Sequence, residues 1–207
     1  MHSKIIIGPE CIGKHFMADI LQKQGYSTIV LENDIFQWKH PIQKGRPSFK
    51  NKRKNYEEGE LNPDYPSNMI KRIIDLNGST DFIFVEYTSE ILELISAEDL
   101  LVNSNILVVL PHRNSLMEYL GRYYAKHIIG DGKVSTFTLD DTAAMVDIYD
   151  GWSKRTTAVL YETKSKNLNY AILKTGYYVY DLFCTENAVD SSNLDNTCVF
   201  NMLHLNN

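Results

Sequence analysis

KIIIGPECIGKHF, residues 4–16, carries three consecutive isoleucines into a glycine, and four residues later come Gly13 and Lys14. The isoleucine run predicts a short buried strand, because β-branched side chains fit a pleated, covered surface. The residues that follow, Phe16, Met17, Ile20 and Leu21, are apolar at helical spacing and stop at Gly25, which predicts a helix. A strand, a G-x-x-x-x-G-K turn and a helix form the frame of a phosphate-binding loop. In such a loop the glycines let backbone N–H groups face an anion, and the lysine bridges the outer phosphates. The loop then spans Gly8, Pro9, Glu10, Cys11, Ile12, Gly13, Lys14 and His15. The next position normally carries a hydroxyl that holds Mg²⁺, and here it is His15. Imidazole is a poor ligand for that hard, oxygen-seeking ion. Pro9 adds a rigid turn, and Glu10 places a negative charge beside the loop.

Working outward, the chain repeats the alternation. YSTIVLEND (26–34) predicts a second strand. SNMIKRIIDLNG predicts a helix capped by Ser67 and stopped by Gly78. DFIFVEY (81–87) predicts a third strand, apolar on both faces and therefore central. A helix follows with Thr88 as its cap, then the strand NILVVLP (105–111), an aromatic-rich helix over 113–127, and a helix over 138–156. The order β-α-β-α-β-α-β-α-α predicts an α/β fold, a three-layer doubly wound parallel sheet. Residues 39–66 interrupt it with four of the six prolines, a basic run and an acidic run, and read as an insertion. Residues 157–207 read as a C-terminal extension, partly flexible, that begins as a strand and turn. The domain reading is thus 1–156 and 157–207.

Composition sets limits on partners. The chain has 207 residues, 43% hydrophobic and 23% charged, with a formal net charge of −5. That balance does not predict general attraction to nucleic acid or to an anionic membrane. No stretch approaches the roughly 20 apolar residues of a membrane span. The three cysteines, Cys11, Cys184 and Cys198, and the six histidines show no metal spacing. With no secretory signal legible at residues 1–9, the expectation is a reducing, cytoplasmic setting.

Several side chains fall where chemistry is expected. Asp34 follows the second strand at the carboxyl edge of the sheet, where ligands bind in open α/β folds. It is a candidate base for an acceptor hydroxyl or a metal-bound carboxylate, and equally a helix cap alongside Asn33. Glu86 ends the third strand and is the other candidate metal carboxylate, with Lys14 its natural partner; the plain alternative is a solvated strand end. Arg113 and Arg122 lie nine apart on one predicted helix, separated by about 13.5 Å of rise. Arg122 is the candidate for stabilising a transferring phosphate, whereas Arg113 reads as a solvated face. The aromatics Phe36 and Trp38 suit a base or the core. The run Lys44, Arg46, Lys50, Lys52, Arg53 and Lys54 suits a phosphate backbone, or a solvated loop offset by Glu57, Glu58 and Glu60.

Over residues 3–155 the chain resembles the small P-loop kinase-like proteins of bacteriophages, which are nucleoside or nucleotide kinase-like and similar to adenylate kinases in fold. The likeness rests on the phosphate loop, ENDIFQW, NPDYPSNMIKRI, DFIFVEY and ILVVLPHRNSLMEYLGRY, in that order. It implies phosphate binding at residues 8–15, an acidic site at Asp34, a phosphate-stabilising Arg122, and ATP with Mg²⁺ as cofactors. The implied partner is a nucleotide or nucleoside, in a host cytoplasm if the source is viral. His15 departs from the family's Ser or Thr. The competing expectation is therefore a degenerate loop that binds without turnover and engages a protein partner through the C-terminal extension. A third is a nucleic-acid-end kinase or a nucleic-acid-binding protein using the basic run.

Overall fold

The computed structural model describes residues 2–39, 61–97, 105–125 and 139–184. The strands are β1 (Lys4–Gly8), β2 (Thr28–Leu31), β3 (Phe82–Glu86), β4 (Ile106–Pro111) and β5 (Asn169–Leu173). They form one five-stranded sheet in the order β2-β3-β1-β4-β5, and every pairing is parallel. Helix α1 (Lys14–Lys23) follows β1, and the short α2 (Asn33–Gln37) follows β2. Next come α3 (Ser67–Leu76) and α4 (Ser89–Ala97), on either side of β3 in sequence. After β4, a 3₁₀ turn (Arg113–Ser115) leads into α5 (Leu116–Tyr124), and α6 (Leu139–Ser165) and α7 (Val179–Cys184) flank β5.

The layers follow from the two-residue period of a strand. Ile6, Phe82, Phe84, Leu107, Val109, Ala171 and Leu173 face one side of the sheet. They pack with Met17, Ala18 and Leu21 of α1, Tyr119 of α5, and Val179 and Leu182 of α7. Ile5, Ile7, Ile83, Val85, Ile106, Val108 and Leu110 face the other side. Their cover is Met69, Ile70 and Ile73 of α3, Ile91, Leu92 and Ile95 of α4, and Val159 of α6. Apolar side chains on both faces of β1, β3 and β4 are what a covered parallel sheet requires. Each such side chain contributes about 1.5–3 kcal/mol when fully buried.

Some expected boundaries move. β2 ends at Leu31, so Asn33 and Asp34 open α2 rather than close a strand; Glu32 is its N-cap. Ser67 is the first residue of α3, and Pro66, whose ring carries no hydrogen-bond acceptor, takes the N-cap position. Thr88 does cap: its Oγ1 accepts the Ile91 N–H at 3.3 Å. Arg113 lies in the 3₁₀ turn, not on the helix that carries Arg122, because Ser115 N–H closes a tight turn onto the His112 carbonyl at 2.8 Å. The helix expected to end at 156 runs to Ser165, and β5 pairs with β4 in the sheet. Up to residue 184 the stretch expected as an extension therefore builds one edge of the sheet and part of its cover. The basic run at 44–54 and Cys198 lie outside the described residues.

The amino ends of the strands are closed by polar contacts. Ser3 is 1% exposed; its N–H donates to Asn77 Oδ1 at 3.0 Å and its hydroxyl accepts the Gly78 N–H at 2.9 Å. Ser27 donates to Asp81 through both its N–H and its hydroxyl, at 2.8 Å each. The carboxyl ends carry the β1–α1 and β3–α4 loops.

Candidate functional site

β1 and β3 are neighbours, and Gly8 pairs with Glu86 at their carboxyl ends. The chain leaves β1 through α1 onto one face and leaves β3 through α4 onto the other. Two adjacent strands whose exits diverge open a crevice between them, the usual ligand position in open parallel sheets. The phosphate-loop sequence lies at that crevice.

Gly8 is required by close packing. A Cβ there would lie 2.2 Å from Ile12 Cδ1 and 3.1 Å from the Val109 carbonyl oxygen, and Ile12 is itself fully buried. Cys11 and Gly13 take positive φ, 61° and 90°, the left-handed conformation that turns the chain sharply into α1. The first turn of α1 contains no acidic side chain, which leaves the positive end of its dipole unopposed by the helix itself. Lys14 is 6% exposed, and its ammonium donates to the Gly8 carbonyl at 3.0 Å and to the Pro9 carbonyl. A buried ammonium needs such acceptors. The Gly8 carbonyl also accepts the Tyr87 N–H at 3.3 Å, so the loop and the end of β3 share one acceptor.

On one side of the loop lies a cleft of about 90 Å³, bounded by Pro9 and Glu10, by Asn33, by Glu86 and Tyr87, and by Arg155 of α6. Glu86 Oε2 accepts the Asn33 N–H at 3.1 Å, which joins the ends of β3 and β2. Tyr87 is 5% exposed. Burial pushes its phenol up to about 12, while the Arg155 charge and a hydrogen bond with Thr156 oppose the rise. It therefore stays a neutral hydroxyl at any ordinary pH.

The other side of the loop is held by aromatic residues from the segment between β5 and α7. The Val179 N–H donates to the Ile12 carbonyl at 2.9 Å. A Cβ on Gly13 would sit 3.2 Å from Tyr178 Cδ1. The Arg122 guanidinium stacks on Tyr178 with its carbon 3.5 Å from the ring centre, 4.7 Å from the Tyr119 ring, and pairs with Glu118 one turn back. Arg122 thus stands next to the loop through Tyr178, on the α1 face, whereas the cleft is bordered by Arg155 from the opposite face.

Residue 15 points elsewhere. The His15 Nε2 lies 2.8 Å from Glu32 Oε1, with the two side chains 52% and 38% exposed. His15 therefore ties α1 to the end of β2 at the surface. Phosphate-loop chemistry implies Mg²⁺ held by an oxygen of this residue, and an imidazole engaged with Glu32 does not fit that role. Among the described residues no group of three or more His, Cys, Asp and Glu side chains is arranged to hold a metal.

Of the residues singled out from sequence, Gly8 to Lys14 and Glu86 converge at the crevice. Asp34 falls in the first turn of α2, at the neighbouring strand end. Arg155, Tyr87 and Tyr178 were not singled out. A basic residue on a helix face carries no sign of the cleft it borders, and Tyr178 follows two residues after Gly176 with no motif around it. No protein-family model matches the chain, and no curated protein matches its sequence. Among the described residues no helix is long and apolar enough to cross a membrane.

Proposed function

We propose that the β1–α1 loop binds the phosphates of a nucleotide. The observation that carries this reading is the junction itself: Gly8 closed against β4, positive φ at Cys11 and Gly13, and the Lys14 ammonium folded onto the Gly8 and Pro9 carbonyls. A bound phosphate would draw Lys14 from those carbonyls and would receive N–H groups of the first helical turn. The test is thermal stabilisation of the purified chain by ATP, ADP and the nucleoside monophosphates. Ligand at 100-fold its Kd adds about 2.7 kcal/mol. Lys14→Ala is expected to lose most of that gain; full stabilisation of this variant, or none of the wild type by any nucleotide, rejects the reading.

A second reading, phosphoryl transfer from ATP to a nucleoside or nucleotide, is favoured by one observation. Arg155 borders the cleft beside the loop, where a guanidinium could stabilise charge in transfer. Incubation with ATP and a panel of nucleosides and monophosphates is expected to yield a phosphorylated acceptor. Arg155→Ala should lower the rate on the order of 10²-fold. Absence of any product leaves a nucleotide-binding protein without turnover.

A further inference from the structure

We infer that this loop takes its nucleotide as the free polyphosphate anion, without a divalent cation. The inference rests on the nucleotide-binding reading and deepens it by naming the form of the ligand. A phosphate loop ordinarily recovers the charge lost to Mg²⁺ by offering the metal an oxygen from the residue after its lysine. That residue is His15. Its side chain has no oxygen to offer, and its imidazole is held 2.8 Å from Glu32 Oε1 at the surface.

The consequence is electrostatic. The attraction of the loop for an anion comes from the first-turn N–H groups of α1 and from Lys14, against the carboxylates of Glu10 and Glu86 at the neighbouring cleft. A divalent cation on the phosphates removes two units of the charge those groups attract and receives no ligand from residue 15 in return. The metal complex is then the weaker ligand. In a loop carrying Ser or Thr at this position the metal's own bond to the hydroxyl offsets the same loss.

The experiment is titration calorimetry of ATP and of ADP into the full chain, once in EDTA and once in excess Mg²⁺. Affinity in EDTA is expected to equal or exceed that in Mg²⁺. His15→Thr, with His15→Ser as a second variant should the first fold poorly, is expected to bind several-fold tighter in Mg²⁺ than in EDTA. Glu32→Ala, which frees the imidazole but supplies no hydroxyl, should gain no such preference. Wild-type binding that Mg²⁺ tightens several-fold overturns the inference and leaves the nucleotide-binding reading standing. A hydroxyl variant that binds as well in EDTA as in Mg²⁺ also overturns it, because residue 15 would then not be the cause. No binding in either buffer rejects the nucleotide-binding reading itself.

Discussion

Gly8 and Gly13 differ in why they must be glycine. At Gly8 the obstacle is space: a methyl group would meet Ile12 and the backbone of β4. At Gly13 the obstacle is also conformational, with φ at 90° and the Tyr178 ring 3.2 Å from the added carbon. Gly13→Ala is expected to cost about 1–2 kcal/mol from the left-handed backbone alone, and urea unfolding measures it. With Tyr178→Ala as the reference the steric part is gone, so a Gly13→Ala/Tyr178→Ala double variant as stable as Tyr178→Ala alone would show that the backbone is not strained. Lys14 illustrates the remaining residue-scale requirement. An ammonium so deeply buried is tolerated because carbonyls of its own loop receive it, and those are the contacts a phosphate would replace.

Among the elements, α1 is the one on which the proposed phosphate binding depends, and it is anchored three ways. Its buried face packs on β1 and β3, His15 ties its start to the end of β2, and the Val179 N–H holds the loop before it. The Arg122–Tyr178 stack with its Glu118 pair braces α5 against the same loop; a partly desolvated stack of this kind contributes about 0.5–2 kcal/mol. On the opposite face, α4 begins at Thr88, directly after the cleft residue Tyr87. Thr88→Ala removes the oxygen that accepts the Ile91 N–H and is expected to cost about 1 kcal/mol. A shift in the urea midpoint reads this out, and an unchanged midpoint would mean that the cap contributes nothing.

For the whole molecule, the two covered faces make stability depend on buried phenols. The Tyr87 phenol lies at about 12 against an ordinary value of 10.0, and burial also raises Tyr119. Below about pH 10 both folded and unfolded chains keep the Tyr87 proton, and its contribution is whole. Between 10 and 12 the unfolded chain ionises first and stability falls, by up to about 1.4 kcal/mol per pH unit. Above 12 the loss is complete. Tyr87→Phe is therefore expected to flatten the fall in urea midpoint between pH 10 and 12; equal slopes for variant and wild type would contradict the buried, neutral phenol. The same fold positions a charged residue of α6 at the cleft beside the β1–α1 loop, although 145 positions separate Arg155 from Glu10. α6 runs on to Ser165, and β5 then pairs with β4 in the same sheet.

The sequence by itself determined the strands β1, β3 and β4, their cover on both faces, the turn at Gly8–Lys14 and the parallel α/β class. These depend on spacing within a few residues, on β-branched runs and on glycine, which are local quantities. The tertiary structure alone decided that β3 lies between β1 and β2, so that Glu86 ends beside Gly8. It brought Arg155 to one side of the loop and Tyr178 to the other, and turned His15 toward Glu32. Strand order, helix length past residue 156 and the direction of an exposed imidazole are set by which distant surfaces pack together. No period or motif in the chain encodes that choice within one segment, because its energy comes from contacts between segments.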